Sequence, residues 1–146
     1  MTGEESTREA YWRELERQYD ESPVHRLLGM GLRVPAAGEA LVGLRARPEV
    51  GNRNGSVAGG VLGTMVDSAV CQAVRTVVAA DLRTWTLEMK INYLRRAEVG
   101  TELTARGRVE YVGRSTAVGI GRVTGPDGEL LAVGVVTVSL RSGARP

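Results

Sequence analysis

Cysteine and histidine are almost missing from this 146-residue chain, which has one of each, Cys71 and His25. A single cysteine can form neither an internal disulfide nor a thiolate metal cluster. A Cys–His nucleophile pair would need both of these lone residues, and zinc sites usually need several ligands of the two types. No metal site is therefore expected, and any hydrolytic chemistry would use carboxylates, hydroxyls, amides or backbone groups.

Long apolar runs are also missing, since no stretch approaches the roughly 18 residues that a membrane span needs. The first residues, MTGEESTREAYWRELERQ, are acidic and polar, whereas a secretory signal would be basic and then apolar. These two absences predict a soluble, cytoplasmic protein without a membrane partner. Hydrophobic residues make up 42% of the chain and charged residues 25%, which is typical of a single globular domain.

A strong charge of one sign is missing too, because the net charge is only +2. The sequence pI is about 9.0, but the arginines are scattered through the chain and do not form one basic run. This pattern argues against a nucleic-acid partner and favours a small anionic ligand.

The hydrophobic periodicity predicts an α+β fold. Ser6 and Glu9 have the spacing of a capping box, which predicts a helix from there to about residue 20. A short helical turn, a hairpin of two strands and an irregular loop over 48–56 should follow, and then a long buried helix over 57–80. Four strand candidates come last, for which a meander is the natural arrangement: TWTLEMKINYL, ELTARGRVEYV, STAVGIGRVT and ELLAVGVVTVSL. One long helix wrapped by an antiparallel sheet is the simplest packing.

Asp67 is the most unusual residue, because it is a carboxylate among the apolar residues of the predicted long helix. Burying an unpaired charge is costly, so this carboxylate should be paired, neutralised or functional. At helical spacing it shares a stripe with Gly60 and Gly63, which have no side chain to block access. A buried hydrogen bond or an arginine partner is the structural alternative, and a catalytic carboxylate is the favoured interpretation.

Gly59 and Gly60 begin the same helix, where free backbone N–H groups and the positive end of the helix dipole could hold an oxyanion. The glycines could equally serve only a tight turn from loop to helix. Asn52 in the preceding loop has the same two interpretations, because asparagine is common in turns. Thr86 could position a water near the carboxylate or could be an ordinary β-branched strand residue.

Three arginines beside predicted turns, Arg95, Arg96 and Arg114, could bind phosphates in bidentate fashion, although solvated surface arginine is the commoner case. Cys71 lies one helical turn beyond Asp67 and has no histidine partner, so we expect a small buried side chain there.

The segment NRNGSVAGGVLGTMVDSAV resembles the hotdog thioesterases of the PaaI-like group, in which Asn, Gly and His-Gly-Gly precede a helix with an acid nine residues after the His. The segment TLEMKINYLRRAEVGTELTARGRVEYVGRSTAV resembles the strands that follow in that group. The resemblance covers roughly residues 23–140 and implies a hotdog domain over 23–142, which the predicted N-terminal helix, assigned to 1–22, precedes. It also implies a homo-oligomer, either a dimer or a dimer of dimers.

Carried over residue by residue, the resemblance implies that Asp67 is the catalytic acid and that the N–H of Gly59 polarises the thioester carbonyl. Asn52 would be the loop amide near the reacting centre, and Thr86 the hydroxyl that helps to hold water. The residues implied in substrate binding are Ala58, Gly60, Arg95, Arg96, Gly113 and Arg114. Two positions depart from the pattern, because Ala58 replaces the usual His and Arg96 the usual Pro.

The implied activity is hydrolysis of an acyl-CoA thioester without a cofactor, with Asp67 acting as nucleophile or as general base. A thioesterase acting on acyl carrier protein would use the same core. A non-catalytic protein that binds acyl-CoA is the alternative suggested by Ala58. A hotdog dehydratase is disfavoured, since the chain has no histidine except His25.

Overall fold

The computed structural model describes residues 2–143, so Met1 of the predicted N-terminal segment lies outside the described residues. Within these residues, three α-helices, one short 3-10 helix (Pro48–Val50) and six strands follow one another. In order, the α-helices and strands are α1 Gly3–Glu21, α2 Pro23–Leu28, β1 Met30–Ala36, β2 Glu39–Arg45, α3 Gly59–Arg75, β3 Arg83–Tyr93, β4 Glu102–Val112, β5 Thr116–Thr124 and β6 Leu130–Arg141.

Helix α1 begins earlier than the sequence predicted. Its capping box is formed by Thr2, whose hydroxyl accepts from the N–H of Glu5 at 3.3 Å, and by Glu5, whose carboxylate accepts from the N–H of Thr2 at 2.7 Å. The predicted start at Ser6 and Glu9 is therefore wrong. The same spacing occurs at Thr2 and again four residues later at Ser6, and the earlier pair puts Glu4 and Glu5 in the first turn, where the helix dipole favours negative charge.

The six strands form one antiparallel sheet in the order β1-β2-β4-β5-β6-β3. The predicted hairpin of β1 and β2 is confirmed, as is the α+β arrangement with a long helix against an antiparallel sheet. The predicted four-strand meander is only partly right. Strands β4, β5 and β6 pair consecutively, but β3 pairs with β6, and β2 takes the place beside β4. Helix α3 carries the chain across the sheet from β2 to the opposite edge, which is why β3 is an edge strand.

Helix α3 lies so close to the sheet that glycines must face it. A Cβ on Gly107 of β4 would overlap the backbone of Ala69, and a Cβ on Gly121 of β5 would lie 2.8 Å from Val66 Cγ1. Val66 and Ala69 are fully buried in this contact. The strand glycines thus let the helix backbone approach the sheet closely, and this contact fixes where α3 lies.

Helix α3 also ends earlier than the predicted 57–80, at Arg75. The Thr76 hydroxyl accepts from the N–H of Gly38 in the β1–β2 turn at 2.7 Å and donates to the carbonyl of Ala73 at 2.6 Å. The apolar spacing continues through Val77 and Val78, but Val77 is 41% exposed. Apolar periodicity alone therefore overran the helix end that this tertiary contact sets.

The two edges of the sheet differ. At the β1 edge, helix α1 packs its buried Leu15 and Tyr19 inward, and the Glu16 carboxylate accepts from the N–H of Val34 at 2.8 Å. At the β3 edge, no element within residues 2–143 adds a further strand or helix, and Trp85 and Leu87 are 46% and 56% exposed. One edge is thus covered by a helix of the described chain, and the other is open.

None of the helices within residues 2–143 combines the length and the apolar character that a membrane crossing requires.

Candidate active site

Asp67 lies in the middle of α3, where its side chain is partly buried and lines an open cleft of about 360 Å³. We call this space the carboxylate cleft. Its wall is formed by Gly60, Gly63, Thr64, Asp67, Thr86, Met89 and Tyr93. Among residues 2–143, Asp67 forms no salt bridge with an arginine. Its hydrogen-bond donors are the hydroxyl of Thr86 on β3 and, more weakly at 3.9 Å, the thiol of Cys71. The carboxylate therefore keeps its access to solvent and is held by neutral donors.

Thr86 and Cys71 complete a small polar cluster around this carboxylate. The Cys71 sulfur lies 3.2 Å from Thr86 Oγ1 and 3.9 Å from Asp67 Oδ1. Burial raises the pKa of the Cys71 thiol to about 11, so this thiol stays protonated at neutral pH. It acts here as a small, weakly polar neighbour of Thr86, and it is not a nucleophile.

A β-bulge at Leu87 decides which β3 side chains face the cleft. Thr86 pairs with Val138 and Glu88 pairs with Thr137, so Leu87 is the extra residue. In an unbroken strand, Thr86 and Met89 would face opposite sides of the sheet, because side chains alternate. The bulge turns both of them toward α3, where Thr86 binds Asp67 and a Cβ on Gly63 would lie 3.5 Å from Met89 Cε.

The predicted open track of glycines is open only in part. Gly60 is exposed, and a Cβ there would meet no atom within 4 Å. Gly63 is buried, and a Cβ there would lie 3.7 Å from the Tyr93 hydroxyl. Gly60 therefore leaves the carboxylate cleft accessible, whereas the missing side chain of Gly63 makes room for Met89 and Tyr93 of β3.

The start of α3 lines a second cleft, of about 540 Å³, which we call the helix-start cleft; its wall includes Asn54, Ser56, Gly59, Tyr93, Arg95 and Arg96. Ala58 is the N-cap and offers no side-chain acceptor to the helix. In the part of the chain that the structure describes, the N–H groups of Gly59 and Gly60 have no acceptor. The helix therefore presents unpaired donors at its positive end, next to an open space.

The Asn52 side chain is used within its own loop. Its carbonyl oxygen accepts from the N–H of Asn54 at 2.9 Å and from the N–H of Ser56 at 3.2 Å. Asn52 does not line either cleft of the described chain, whereas Asn54 lines the helix-start cleft. Asn52 thus shapes the loop that leads into α3.

The predicted phosphate-binding arginines fall into two places. Arg95 and Arg96 line the helix-start cleft, where Arg95 donates to the carbonyl of Leu130 at 2.8 Å and Arg96 to that of Asn54 at 2.6 Å. Gly113 and Arg114 lie in the β4–β5 turn, separated from β3 by strands β5 and β6. Within one subunit the structure brings only the first pair to the helix start.

Tyr93, which the sequence analysis missed, lines both clefts. Its hydroxyl donates to the carbonyl of Gly59 at 2.8 Å, and a Cβ on Gly59 would lie 3.2 Å from its ring. The only signal in the sequence is an aromatic residue at the end of a predicted strand, and that signal also fits a core residue. Because Tyr93 lies between the two clefts, Gly59 and Asp67 of one subunit line different spaces.

His25 lies on another side of α3. Its ring stacks on Tyr19 with centroids 3.6 Å apart, and its Nε2 lies 3.3 Å from the hydroxyl of Ser68. Burial lowers the pKa of His25 below its ordinary value. This histidine connects α2 to α3 and lines neither cleft of the described chain.

Residues 2–143 contain no group of three His, Cys, Asp or Glu side chains that could hold a metal ion.

The sequence and the fold have known relatives. A family model described as the thioesterase superfamily matches residues 54–132, more than half of the chain. A conserved protein of Pseudomonas aeruginosa is 30% identical, with a TM-score of 0.79, and the match covers 86% of this chain and 98% of that one. A variant of the phenylacetic acid degradation protein PaaI from Thermus thermophilus is 28% identical, with a TM-score of 0.74 and coverage of 81% and 98%.

The PaaI protein from the phenylacetic acid degradation operon of E. coli is 22% identical, with a TM-score of 0.82 and coverage of 91% and 94%, which shows a shared fold. No curated protein sequence matches the chain.

Proposed function

The chain belongs to the thioesterase superfamily and is a thioester hydrolase, and we propose that its substrate is an acyl-CoA, hydrolysed with Asp67 as the catalytic carboxylate. The observation that carries this proposal is the position of Asp67, which accepts a hydrogen bond from Thr86 and lines an open cleft. A carboxylate in this setting can attack a carbonyl carbon or accept the proton of an attacking water.

The start of α3 supplies the second element of the proposed mechanism. Thioester hydrolysis places negative charge on the carbonyl oxygen, and unpaired N–H groups at the positive end of a helix stabilise such charge. Gly59 is the donor that we propose, because its N–H has no acceptor in the described chain and it lines the helix-start cleft. The N-cap residue Ala58 has no side-chain acceptor for the N–H groups of Gly60 or Val61, so no side chain of the cap covers the positive end of α3.

We propose further that each active site is shared by two subunits. Gly59 and Asp67 are eight residues apart on one helix, about 12 Å at 1.5 Å per residue, which is too far for both to act on one carbonyl. They also line different clefts, with Tyr93 between them. A second subunit could bring its own Asp67 to the Gly59 of the first. The open β3 edge with its exposed Trp85 and Leu87 supports a homodimer formed at this edge, and two such dimers could pair further.

CoA is proposed as the carrier because two arginines lie at the helix-start cleft. Arg95 and Arg96 are exposed, and each has N–H groups beyond the one that binds a backbone carbonyl. Arg96 also pairs with Glu98, because its Nε lies 2.9 Å from Glu98 Oε1. Guanidinium groups bind phosphates well, and the nucleotide part of CoA carries several phosphates. Gly113 and Arg114 would join this region only in an oligomer.

A panel of short, aromatic and long acyl-CoAs, with release of free thiol followed over time, tests the proposal. Turnover of at least one acyl-CoA is expected, and the same acyl group on an acyl carrier protein should be a poorer substrate. Faster turnover of the carrier-protein substrate would contradict the CoA assignment. Tight binding of acyl-CoA without release of thiol would instead identify a non-catalytic binding protein.

A further inference from the structure

Tyr93 belongs to both clefts and to no part of the proposed chemistry. Its ring separates the carboxylate cleft from the helix-start cleft, and the two have volumes of about 360 and 540 Å³. Tyr93 is 51% exposed and lines an open cleft on each side. Tyr93 therefore determines whether a ligand meets one continuous cleft or two separate clefts.

Two contacts with α3 hold the Tyr93 ring in this position. The hydroxyl donates to the carbonyl of Gly59 at 2.8 Å, and the ring approaches Gly59 so closely that a Cβ there would lie 3.2 Å from it. Gly63, one turn further along the helix, lets the hydroxyl end approach, since a Cβ there would lie 3.7 Å from that oxygen. The end of the Tyr93 side chain therefore packs against the helix surface at Gly59 and Gly63, where no side chain is in its way.

Met89 stands beside Tyr93 on the same side of β3. A Cβ on Gly63 would lie 3.5 Å from the end of the Met89 side chain, and Met89 lines only the carboxylate cleft. Met89 thus limits the volume of that cleft, whereas Tyr93 limits its extension toward the helix start. Both side chains offer apolar surface close to Asp67, which suits an acyl group and not a phosphate.

We propose that Tyr93 is a specificity-determining residue, which sets the size of the acyl group that reaches Asp67 by closing the carboxylate cleft against the helix-start cleft. This inference rests on the proposed function, since it takes the acyl group of a thioester as the occupant of the carboxylate cleft. The Tyr93 hydroxyl donates its hydrogen bond to the carbonyl of Gly59 and not to a reacting atom, so its effect is on which substrates fit.

The test measures kcat/KM of the intact protein for a series of straight-chain acyl-CoAs of increasing length and for one aromatic acyl-CoA. Removing the ring in Tyr93→Ala joins the two clefts, so the ratio of kcat/KM for long over short chains should rise by about tenfold or more. Tyr93→Phe keeps the ring and loses the hydrogen bond, so its ratio should stay within about twofold of the wild type. Met89→Ala enlarges only the carboxylate cleft and should raise the ratio less than Tyr93→Ala does.

An equal change of kcat/KM for every chain length in a folded Tyr93→Ala protein would overturn the inference while leaving the hydrolase intact. If Tyr93→Ala fails to fold, Tyr93→Leu replaces it, because leucine keeps an apolar side chain but is narrower than a ring; an unchanged ratio there counts equally against the inference. Affinities for non-hydrolysable thioether analogues of the same series are measured in parallel. A wild type that binds the analogues but releases no thiol rejects the proposed function, and the affinity ratio then still decides the role of Tyr93. A protein that binds no analogue rejects both.

Discussion

Helix α3 has one face that packs tightly against the sheet and another that borders the open carboxylate cleft. On the face toward the sheet, Val66, Ala69 and Val70 are fully buried and press against the strand glycines. On the face toward the carboxylate cleft, Gly60 is exposed and Asp67 is only partly buried. The first face contains almost no free space, and the second has space that no side chain of the described subunit fills.

The difference shows how one helix can combine the packing of the fold with the chemistry that we propose for Asp67. Tight packing of one face leaves the helix a single position against the sheet, because well-packed interiors tolerate even small volume changes poorly. A carboxylate on the other face then has a defined position without being buried itself. Changes on the sheet face should therefore act on stability, and changes on the cleft face on activity.

The largest effect is expected on the cleft face. Asp67→Asn keeps the shape of the side chain but loses its charge and basicity, so turnover should fall by about 10²- to 10⁴-fold. The free energy of unfolding should change little, because the amide oxygen can still accept from Thr86. Release of free thiol and denaturant unfolding measure the two quantities. Asp81→Asn, in the exposed turn before β3, is the matched control, and near wild-type turnover in Asp67→Asn would remove Asp67 from the chemistry.

The next effect is expected on the sheet face. A Cβ at Gly107 would overlap the backbone of Ala69, so Gly107→Ala should lower the free energy of unfolding by about 2–3 kcal/mol or prevent folding. Gly43→Ala on neighbouring strand β2 is the control, because a Cβ there would meet no atom within 4 Å. Denaturant unfolding compares the two variants. Equal stability of both would show that the helix can move away from the sheet at little cost.

A mixed dimer tests whether the cleft face of one subunit works with the helix start of another. We expect Asp67→Ala and Gly59→Val each to be inactive as homodimers, while in the mixed dimer one of the two sites regains a wild-type Asp67 and a wild-type Gly59. Activity should return to at most about half of the wild type. The variants are co-expressed with different tags, and the mixed species is purified and assayed. No recovery, with both variants folded and dimeric, would show that the site lies within single subunits.

A smaller effect is expected at the helix start. Because Gly59 is proposed to act through its backbone, Ala58→His should change kcat/KM by less than about tenfold, or about 1.4 kcal/mol in the activation free energy. Assays of wild type and variant on the best acyl-CoA measure this. An inactive wild type that gains turnover from this one substitution would show that the chain is a binding protein that lacks a required side chain.

The smallest effect concerns the side of α3 that faces His25. Burial lowers the pKa of His25 below 6.5, while the backbone carbonyl of Tyr19 and the carboxylates of Asp20 and Asp67 oppose this shift. The unfolded chain therefore binds this proton at a higher pH than the folded chain does. The contribution to stability is fully present above about pH 6.5 and is lost as the pH falls through that value toward the lowered pKa. As the pH is lowered through this range, the free energy of unfolding should fall less for His25→Gln than for the wild type. Parallel curves of the free energy of unfolding against pH would show that His25 is not the group that titrates.

The sequence by itself determined the kinds of element and their order. The 3.6-residue spacing predicted α3 around Asp67, and the alternating segments predicted six strands, because these periodicities are local properties of the chain. The same spacing put Asp67, Gly60 and Gly63 on one stripe. It also showed that Gly59 and Asp67 lie too far apart on the helix to act on one carbonyl.

Only the tertiary structure decided which strands are neighbours and which side chains meet. Strand β3 pairs with β6 and not with β4, since alternation is the same whichever partner a strand has. The bulge at Leu87 turns Thr86 and Met89 to one side, and Tyr93 then reaches Gly59. These contacts join residues far apart in the chain, and they depend on how closely a whole helix can approach a whole sheet, which no local pattern of residues specifies.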